Sequence, residues 1–214
     1  MEINKDTSLY GSFSKEAGNT GCRIFNKAFQ YYNLNCIYKS FSIENIKDAL
    51  DAAKILNIKG FAISMPFKIE VINYVDELNF HVKKIGACNT IINNNGKLIA
   101  YNTDYLAAKQ YLSTYIQEYK QLYILGNGGY AQAVKYAATS LDINYNIITR
   151  NNWNIIPTLK DCIIYNCTPT NNKIDQSNLY IDCLTITNTG KDLALIQASK
   201  QFELYTKRKF PTII

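Results

Sequence analysis

The sequence predicts an α/β protein with parallel β-sheet, arranged as two domains. Stretches with strand-like alternation and stretches with helical spacing follow one another along all 214 residues. A glycine-rich loop stands between one such strand and one such helix near residue 126. The type of motif changes near residue 105, which indicates a boundary between the two domains.

The first half of the chain contains mixed elements. An Asn95-Gly96 pair between two apolar runs is typical of a hairpin turn. Pro66 suits the first position of a helix. We predict, in order, strand Ser8–Ser12, helix Cys22–Tyr32, strand Cys36–Ile43, helix Glu44–Leu56, strand Gly60–Met65, helix Phe67–Leu78, strands Cys88–Ile92 and Lys97–Tyr101, and helix Tyr105–Ile116.

The second half alternates strands and helices more regularly. We predict strand Gln121–Leu125, helix Tyr130–Ser140, strands Tyr145–Thr149, Asp161–Cys167 and Leu179–Leu184, and helix Lys191–Tyr205. Only residues 151–160 separate Arg150 from the next strand, and Pro157 interrupts them. Because a parallel crossover normally takes roughly a dozen residues with a helix, this crossover is expected to lack a full covering helix.

Composition and charge limit the classes of function. Hydrophobic residues make up 47% of the chain, which is enough for a full core, and no run approaches the roughly 18 apolar residues of a membrane span. Six cysteines form no CxxC pair and there is one histidine, so we expect reduced thiols in the cytoplasm and no metal site. The net charge of +6 is not clustered, which favours a small anionic ligand over nucleic acid. Without a long apolar run, we also expect no membrane partner.

The glycine loop has the pattern of a dinucleotide site. It runs Gly126, Asn127, Gly128, Gly129, Tyr130, Ala131, with Ala131 at the third small position. The first glycine allows a tight turn, the second lets the backbone approach a pyrophosphate, and the third small residue lets the helix pack on its strand. A loop without a ligand is the alternative.

The strand after this loop ends in Thr149-Arg150, where an NAD site would carry an acidic residue. A guanidinium cannot accept a hydrogen bond from a ribose hydroxyl, but it pairs well with a 2′-phosphate. Arg150 therefore favours NADP, with a solvated charge at the strand end as the alternative.

Four ordered motifs, "GFAISMPFK", "IGACNTII", "GKLIAYNTD" and "LGNGGYAQA", together resemble the shikimate dehydrogenase family. The resemblance runs from about Leu9 to Tyr205. Within the family, the sequence is most similar to the shikimate dehydrogenase-like subgroup. It implies an N-terminal α/β substrate domain at residues 1–104, to which a C-terminal helix at about 190–214 returns. It also implies a shortened Rossmann-like NADP-binding domain at residues 105–189.

The resemblance implies roles for individual residues. Lys68 and Asp104 would be the catalytic pair, and the substrate-binding residues would be Asn89, Ser64, Gln197 and Asn19. The cofactor NADP would lie on the glycine loop with Thr149 and Arg150. The implied reaction is the reduction of 3-dehydroshikimate, or a related cyclic hydroxy acid, by a monomer or homodimer in the cytoplasm.

Three departures from the family pattern point to weak activity. Asn19 and Gly21 stand where the family carries a serine pair for the substrate carboxylate. Ala62-Ile63-Ser64 replaces the usual Asn-Val-Thr, so a methyl group replaces one amide. Little sequence separates Asp182 from Gly190, where the family has a loop and a helix. The alternative is a paralogue that binds a metabolite or protein partner without turnover.

Overall fold

The computed structural model describes residues 2–119, 121–170 and 172–212. It forms two compact units, each with its own sheet. One contains the described residues up to Thr103 and those from Ala198 onward, and the other spans Asp104–Gln197. No helix within these described ranges is both long enough and apolar enough to cross a membrane.

The first unit is built on a mixed six-stranded sheet in the order β2-β1-β3-β5-β6-β4. Strands β1 to β3 are mutually parallel, whereas β5 pairs antiparallel with both β3 and β6. The elements are β1 Ser8–Ser14, α1 Thr20–Tyr31, β2 Cys36–Ser42, α2 Ile46–Ile55, β3 Gly60–Ile63, β4 Glu77–Leu78, α3 Phe80–Ile85, β5 Thr90–Asn94 and β6 Lys97–Tyr101.

The predicted helix Phe67–Leu78 is wrong. The chain forms a turn, a short 3₁₀ segment at Glu70–Asn73 and then β4, which pairs parallel with β6. The apolar spacing that suggested a helix is real, because Phe67 and Val71 are buried in the core and Val75 packs against it. The pairing of β4 with β6, together with a β-branched run that disfavours a helix, outweighs the periodicity.

Two apolar clusters stabilise the first unit. One joins the sheet to α2 around Phe61 and Leu50, and the other joins α1 and β2 to the end of the last helix around Phe29 and Phe202. Aromatic pairing is extensive in the second cluster, where Phe25 stacks on Tyr38 with ring centroids 4.4 Å apart. These clusters fix the strand ends from which the candidate site residues emerge.

The second unit has a four-stranded, fully parallel sheet in the order β10-β9-β7-β8. Its elements are α4 Asp104–Tyr115, β7 Leu122–Leu125, α5 Gly129–Thr139, β8 Tyr145–Ile148, β9 Ile163–Asn166, β10 Leu179–Asp182 and the first part of α6 Asn188–Thr206, whose residues from Ala198 onward belong to the first unit. The chain passes from β7 to β8 on one side and then returns to place β9 on the other side of β7. This reversal is where α/β sheets bind ligands.

The crossover from β8 to β9 lacks a full covering helix, as the sequence predicted. A 3₁₀ segment at Arg150–Thr158, which is kinked at Asn152 and contains Pro157, takes the place of that helix. Its Ile156 is buried against Ile148 and Ile164 of the sheet. This short segment therefore covers the face of the sheet that a crossover helix would otherwise cover.

Candidate active site

Lys68 lies in the turn that follows β3. Phe67 anchors this turn, because its side chain is buried in the core with only 5% of its surface exposed. The backbone carbonyl of Lys68 accepts a hydrogen bond of 2.8 Å from the N–H of Cys88. Lys68 is therefore held beside the segment that carries Asn89.

The Asn89 side chain is buried and has a fixed orientation. Its Oδ1 accepts hydrogen bonds from the backbone N–H of Thr103 at 2.7 Å and from the Thr90 hydroxyl at 2.8 Å. Its Nδ2 donates to the Thr103 hydroxyl at 3.0 Å. Because a backbone N–H can only donate, Oδ1 must face Thr103, and the amide polarity is set by the fold.

Asn19 and Ser64, the other predicted substrate residues of the first unit, lie in the segments that follow β1 and β3. Asn19 is exposed and precedes α1 without capping it through its side chain. Ser64 is exposed, and its N–H donates to the carbonyl of Phe13, which continues the pairing of β3 with β1. Both residues follow the carboxyl ends of parallel strands, where α/β proteins place ligand contacts.

Asp104 begins α4 and is completely buried. Within the second unit its carboxylate acts on two tyrosines, Tyr130 and Tyr165, whose hydroxyls are 3.2 Å apart. Burial raises the pKa of both tyrosines well above the ordinary value, and the charge of Asp104 raises each pKa further. These phenols stay protonated, so they present neutral hydroxyls near a buried carboxylate.

The glycine loop follows β7 and leads directly into α5. Gly126 has φ +97°, and a Cβ there would lie 2.8 Å from Cγ2 of Thr168, so this position requires glycine. A Cβ on Gly128 would meet no described atom within 4 Å, so space lies open beside the first turn of α5. Ala131 is fully buried against the sheet, as the third small position of the pattern demands. The loop therefore fits a phosphate group.

Thr149 and Arg150 lie next to this loop. The N–H of Gly126 donates to the carbonyl of Ile148 at 2.8 Å, which places the end of β8 beside the glycines. Arg150 is exposed at the start of the 3₁₀ segment, and Thr149 caps that segment in a reciprocal pair with Asn152.

Gln197, the last of the predicted substrate residues, lies half-buried on α6.

The structure also reveals polar residues that the sequence did not single out. Thr90 and Thr103 hold the Asn89 amide, and Lys135 donates a hydrogen bond of 2.9 Å to Oδ1 of Asn127 in the glycine loop. Burial lowers the pKa of Lys135. Helical spacing offered a signal for Lys135, since it lies on α5 within two turns of the loop.

Comparisons of the sequence and of the fold with known proteins find the same group of similar proteins. Residues 20–91 match the family model of the shikimate dehydrogenase substrate binding domain. The chain is 39% identical over 133 residues to a shikimate dehydrogenase-like protein of Haemophilus influenzae, a match that covers 62% of this chain and 49% of that protein. It is 43% identical over 138 residues to the NADP(+) shikimate dehydrogenase of Alkaliphilus oremlandii, covering 62% and 48%. These matches thus span about half the length of the curated relatives.

A solved structure of a shikimate 5-dehydrogenase-like protein superposes with a TM-score of 0.81 at 28% identity. The superposition covers 99% of this chain and 96% of that chain. The α/β class and the Rossmann-like form of the second unit are confirmed.

Proposed function

We propose that this chain, whose sequence is similar to those of shikimate dehydrogenases, is an NADP-dependent oxidoreductase. The first unit, with α6 returning to it, binds the substrate, and the second unit binds the cofactor. The substrate is 3-dehydroshikimate or a related cyclic hydroxy acid, which is reduced by hydride transfer. The observation that carries this proposal is the glycine loop, which combines a left-handed Gly126, an open space at Gly128 and the start of α5.

Lys68 and Asp104 handle the proton. When bound, the nicotinamide supplies the hydride, so the protein must protonate the carbonyl oxygen that becomes the new hydroxyl of the product. An ammonium can donate that proton, and a carboxylate keeps the ammonium charged and oriented. Asn89, whose Oδ1 is committed to Thr90 and Thr103, donates from its amide nitrogen to a substrate hydroxyl.

The second unit supplies the contacts for NADP. Backbone N–H groups at Gly128, Gly129 and Tyr130, with the dipole of α5, favour the pyrophosphate. Asn127, held by Lys135, borders the same loop. Arg150 pairs with the 2′-phosphate, which selects NADP over NAD.

We further propose that turnover of shikimate is weak. Ala62 offers a methyl group where the family offers an amide, and Asn19 replaces a hydroxyl that would hold the substrate carboxylate. Each lost hydrogen bond costs roughly 1–3 kcal/mol of transition-state binding. Ser64 and Gln197 keep the remaining contacts to the ring and its substituents.

A second candidate function is binding without turnover. The 3₁₀ segment that replaces a crossover helix favours it, and so does the short passage between Asp182 and the start of α6. In that case the chain would retain a metabolite or a protein partner in a site derived from the enzyme. Nucleotide binding and turnover distinguish the two candidates.

The test compares wild type with Lys68→Met. We expect calorimetry to show that wild type prefers NADP⁺ to NAD⁺, and absorbance of the reduced cofactor to show oxidation of shikimate. Lys68→Met should lower kcat by about 10²- to 10⁴-fold, because the proton-transfer group is lost, while the Kd for NADP⁺ stays unchanged.

Lys47→Met is the matched control, since Lys47 lies on the exposed side of α2 and pairs with Asp51. It should leave both constants unchanged. Equal turnover of shikimate by Lys68→Met and wild type would rule out the role of Lys68. Shikimate binding without turnover in wild type would instead select the second candidate.

A further inference from the structure

Gln201 is a buried amide on α6, one turn after the predicted substrate residue Gln197. Only 5% of its surface is exposed. Its Nε2 donates to the Thr90 hydroxyl at 2.9 Å and to the backbone carbonyl of Asn89 at 3.2 Å. A residue far along the chain therefore contacts the segment that carries the Asn89 amide.

The direction of these hydrogen bonds matters. A hydroxyl has one proton, and the Thr90 hydroxyl accepts from Gln201, so its own proton is directed to the other neighbour. That neighbour is Oδ1 of Asn89, 2.8 Å away. The hydrogen bonds therefore all run in one direction: Gln201 donates to Thr90, and Thr90 donates to Asn89.

The second fixed point is Thr103. Its backbone N–H donates to the same Oδ1 at 2.7 Å, and its hydroxyl accepts from Nδ2 of Asn89 at 3.0 Å. Thr103 and Thr90 thus hold the carboxamide from two sides. Buried hydrogen-bond chains of this kind rigidify a site, because each member polarises the next and a missing member leaves a buried polar group unsatisfied.

We propose that Gln201 is a positioning residue that sets the Asn89 amide through the Thr90 hydroxyl. The proposal rests on the proposed function, in which Asn89 donates from its amide nitrogen to a substrate hydroxyl. Without Gln201 the Thr90 hydroxyl is free to rotate its proton away from Asn89. The amide then loses the hydrogen bond from Thr90, and its donor is less well directed at the substrate.

The first measurement needs no substrate. In Gln201→Leu, which removes the donor at similar volume, we expect the side-chain amide signals of Asn89 in a ¹⁵N correlation spectrum to shift. Thr90→Val should shift the same signals, and Thr90→Ser, which keeps the hydroxyl, should restore them. Lys200→Met, which breaks the neighbouring ion pair with Glu203 on the same helix, is the matched control and should leave them in place.

The second measurement is kinetic. Gln201→Leu should raise the KM for shikimate by about tenfold, the loss typical of one hydrogen bond in a buried chain, with the Kd for NADP⁺ unchanged. The double variant Gln201→Leu with Thr90→Val should be no worse than Thr90→Val alone, because both act through one hydroxyl. Should Gln201→Leu fail to fold, Thr90→Val against Thr90→Ser carries the test.

The outcomes separate the two proposals. Unchanged Asn89 amide signals in a folded Gln201→Leu overturn the positioning role, whatever the substrate is. Equal losses of shikimate affinity in Gln201→Leu and Lys200→Met overturn it as well, since both would then report damage to the helix. A wild type that binds no shikimate overturns the proposed function instead, and the spectrum still decides whether Gln201 orients Asn89.

Discussion

Gly126 and Gly128 belong to the same loop, but a side chain is excluded at the two positions for different reasons. Gly126 needs glycine for the backbone, since its φ is +97° and a Cβ would press on Thr168 at 2.8 Å. Gly128 has an ordinary φ of −80°, and a Cβ there would project into open space. If NADP binds as proposed, its pyrophosphate fills that space. Glycine at 126 then serves the fold, and glycine at 128 serves the ligand.

Substitution by alanine separates these requirements. Gly126→Ala should lower the free energy of unfolding by about 1–3 kcal/mol, because alanine is strained at this φ and the neighbouring side chain must move. Gly128→Ala should leave stability unchanged and weaken binding of NADP⁺ by at least about tenfold, because the added methyl group blocks the phosphate. Urea denaturation and calorimetry measure the two effects. Unchanged NADP⁺ affinity in Gly128→Ala would show that the open space is not the phosphate site.

At the scale of single elements, the two asparagines that precede α1 and α2 differ in what they do. Asn45 caps α2, because its side chain accepts a hydrogen bond of 3.1 Å from the N–H of Asp48. Asn19 precedes α1 and makes no capping bond through its side chain. Asn45 therefore stabilises its helix. The side chain of Asn19 has no such capping role, so it could contact a ligand.

We expect Asn45→Ala to lower the free energy of unfolding by about 1 kcal/mol, the usual loss for an N-cap. Asn19→Ala should change stability by less than half of that, and it should lower the affinity for shikimate if Asn19 contacts the substrate carboxylate. Denaturant midpoints and shikimate titrations test the pair. Equal destabilisation by both substitutions would mean that Asn19 has a structural role.

Elements that are determined by residues close in sequence could be predicted. Elements that depend on contacts between residues far apart in the chain could not. The glycine loop, α5 and the shortened crossover at Pro157 depend on neighbouring residues, and the α/β class follows from them. Strand β4 has two residues and exists because β6 pairs with it, so the spacing of Phe67 and Val71 was misleading. The orientation of Asn89 depends on Thr103, fourteen residues away, and on a helix more than a hundred residues away.

At the scale of the whole molecule, the chain has 17 tyrosines, and desolvation raises the pKa of several of those that the structure describes. Burial raises the pKa of Tyr10 to about 12, and it raises those of Tyr130, Tyr165 and Tyr205 well above the ordinary value of 10.0. Below pH 10 both the folded and the unfolded chain keep these protons. As pH rises above 10, the unfolded chain releases them and the folded chain retains them, so stability falls by about 1.4 kcal/mol per pH unit for each such tyrosine.

Tyr205 isolates this effect, because its hydroxyl is buried and has no hydrogen-bond partner among the described residues. Tyr205→Phe should raise the free energy of unfolding by about 1 kcal/mol at neutral pH, since an unsatisfied buried hydroxyl is removed. It should also reduce the fall in stability above pH 10 by about 1.4 kcal/mol per pH unit, because one proton-releasing group is lost. Denaturant unfolding between pH 8 and pH 11 measures both effects. Tyr31→Phe is the control, because this side chain is 51% exposed. If the free energy of unfolding fell equally steeply with pH in Tyr205→Phe and in wild type, the link between burial and alkaline unfolding would be contradicted.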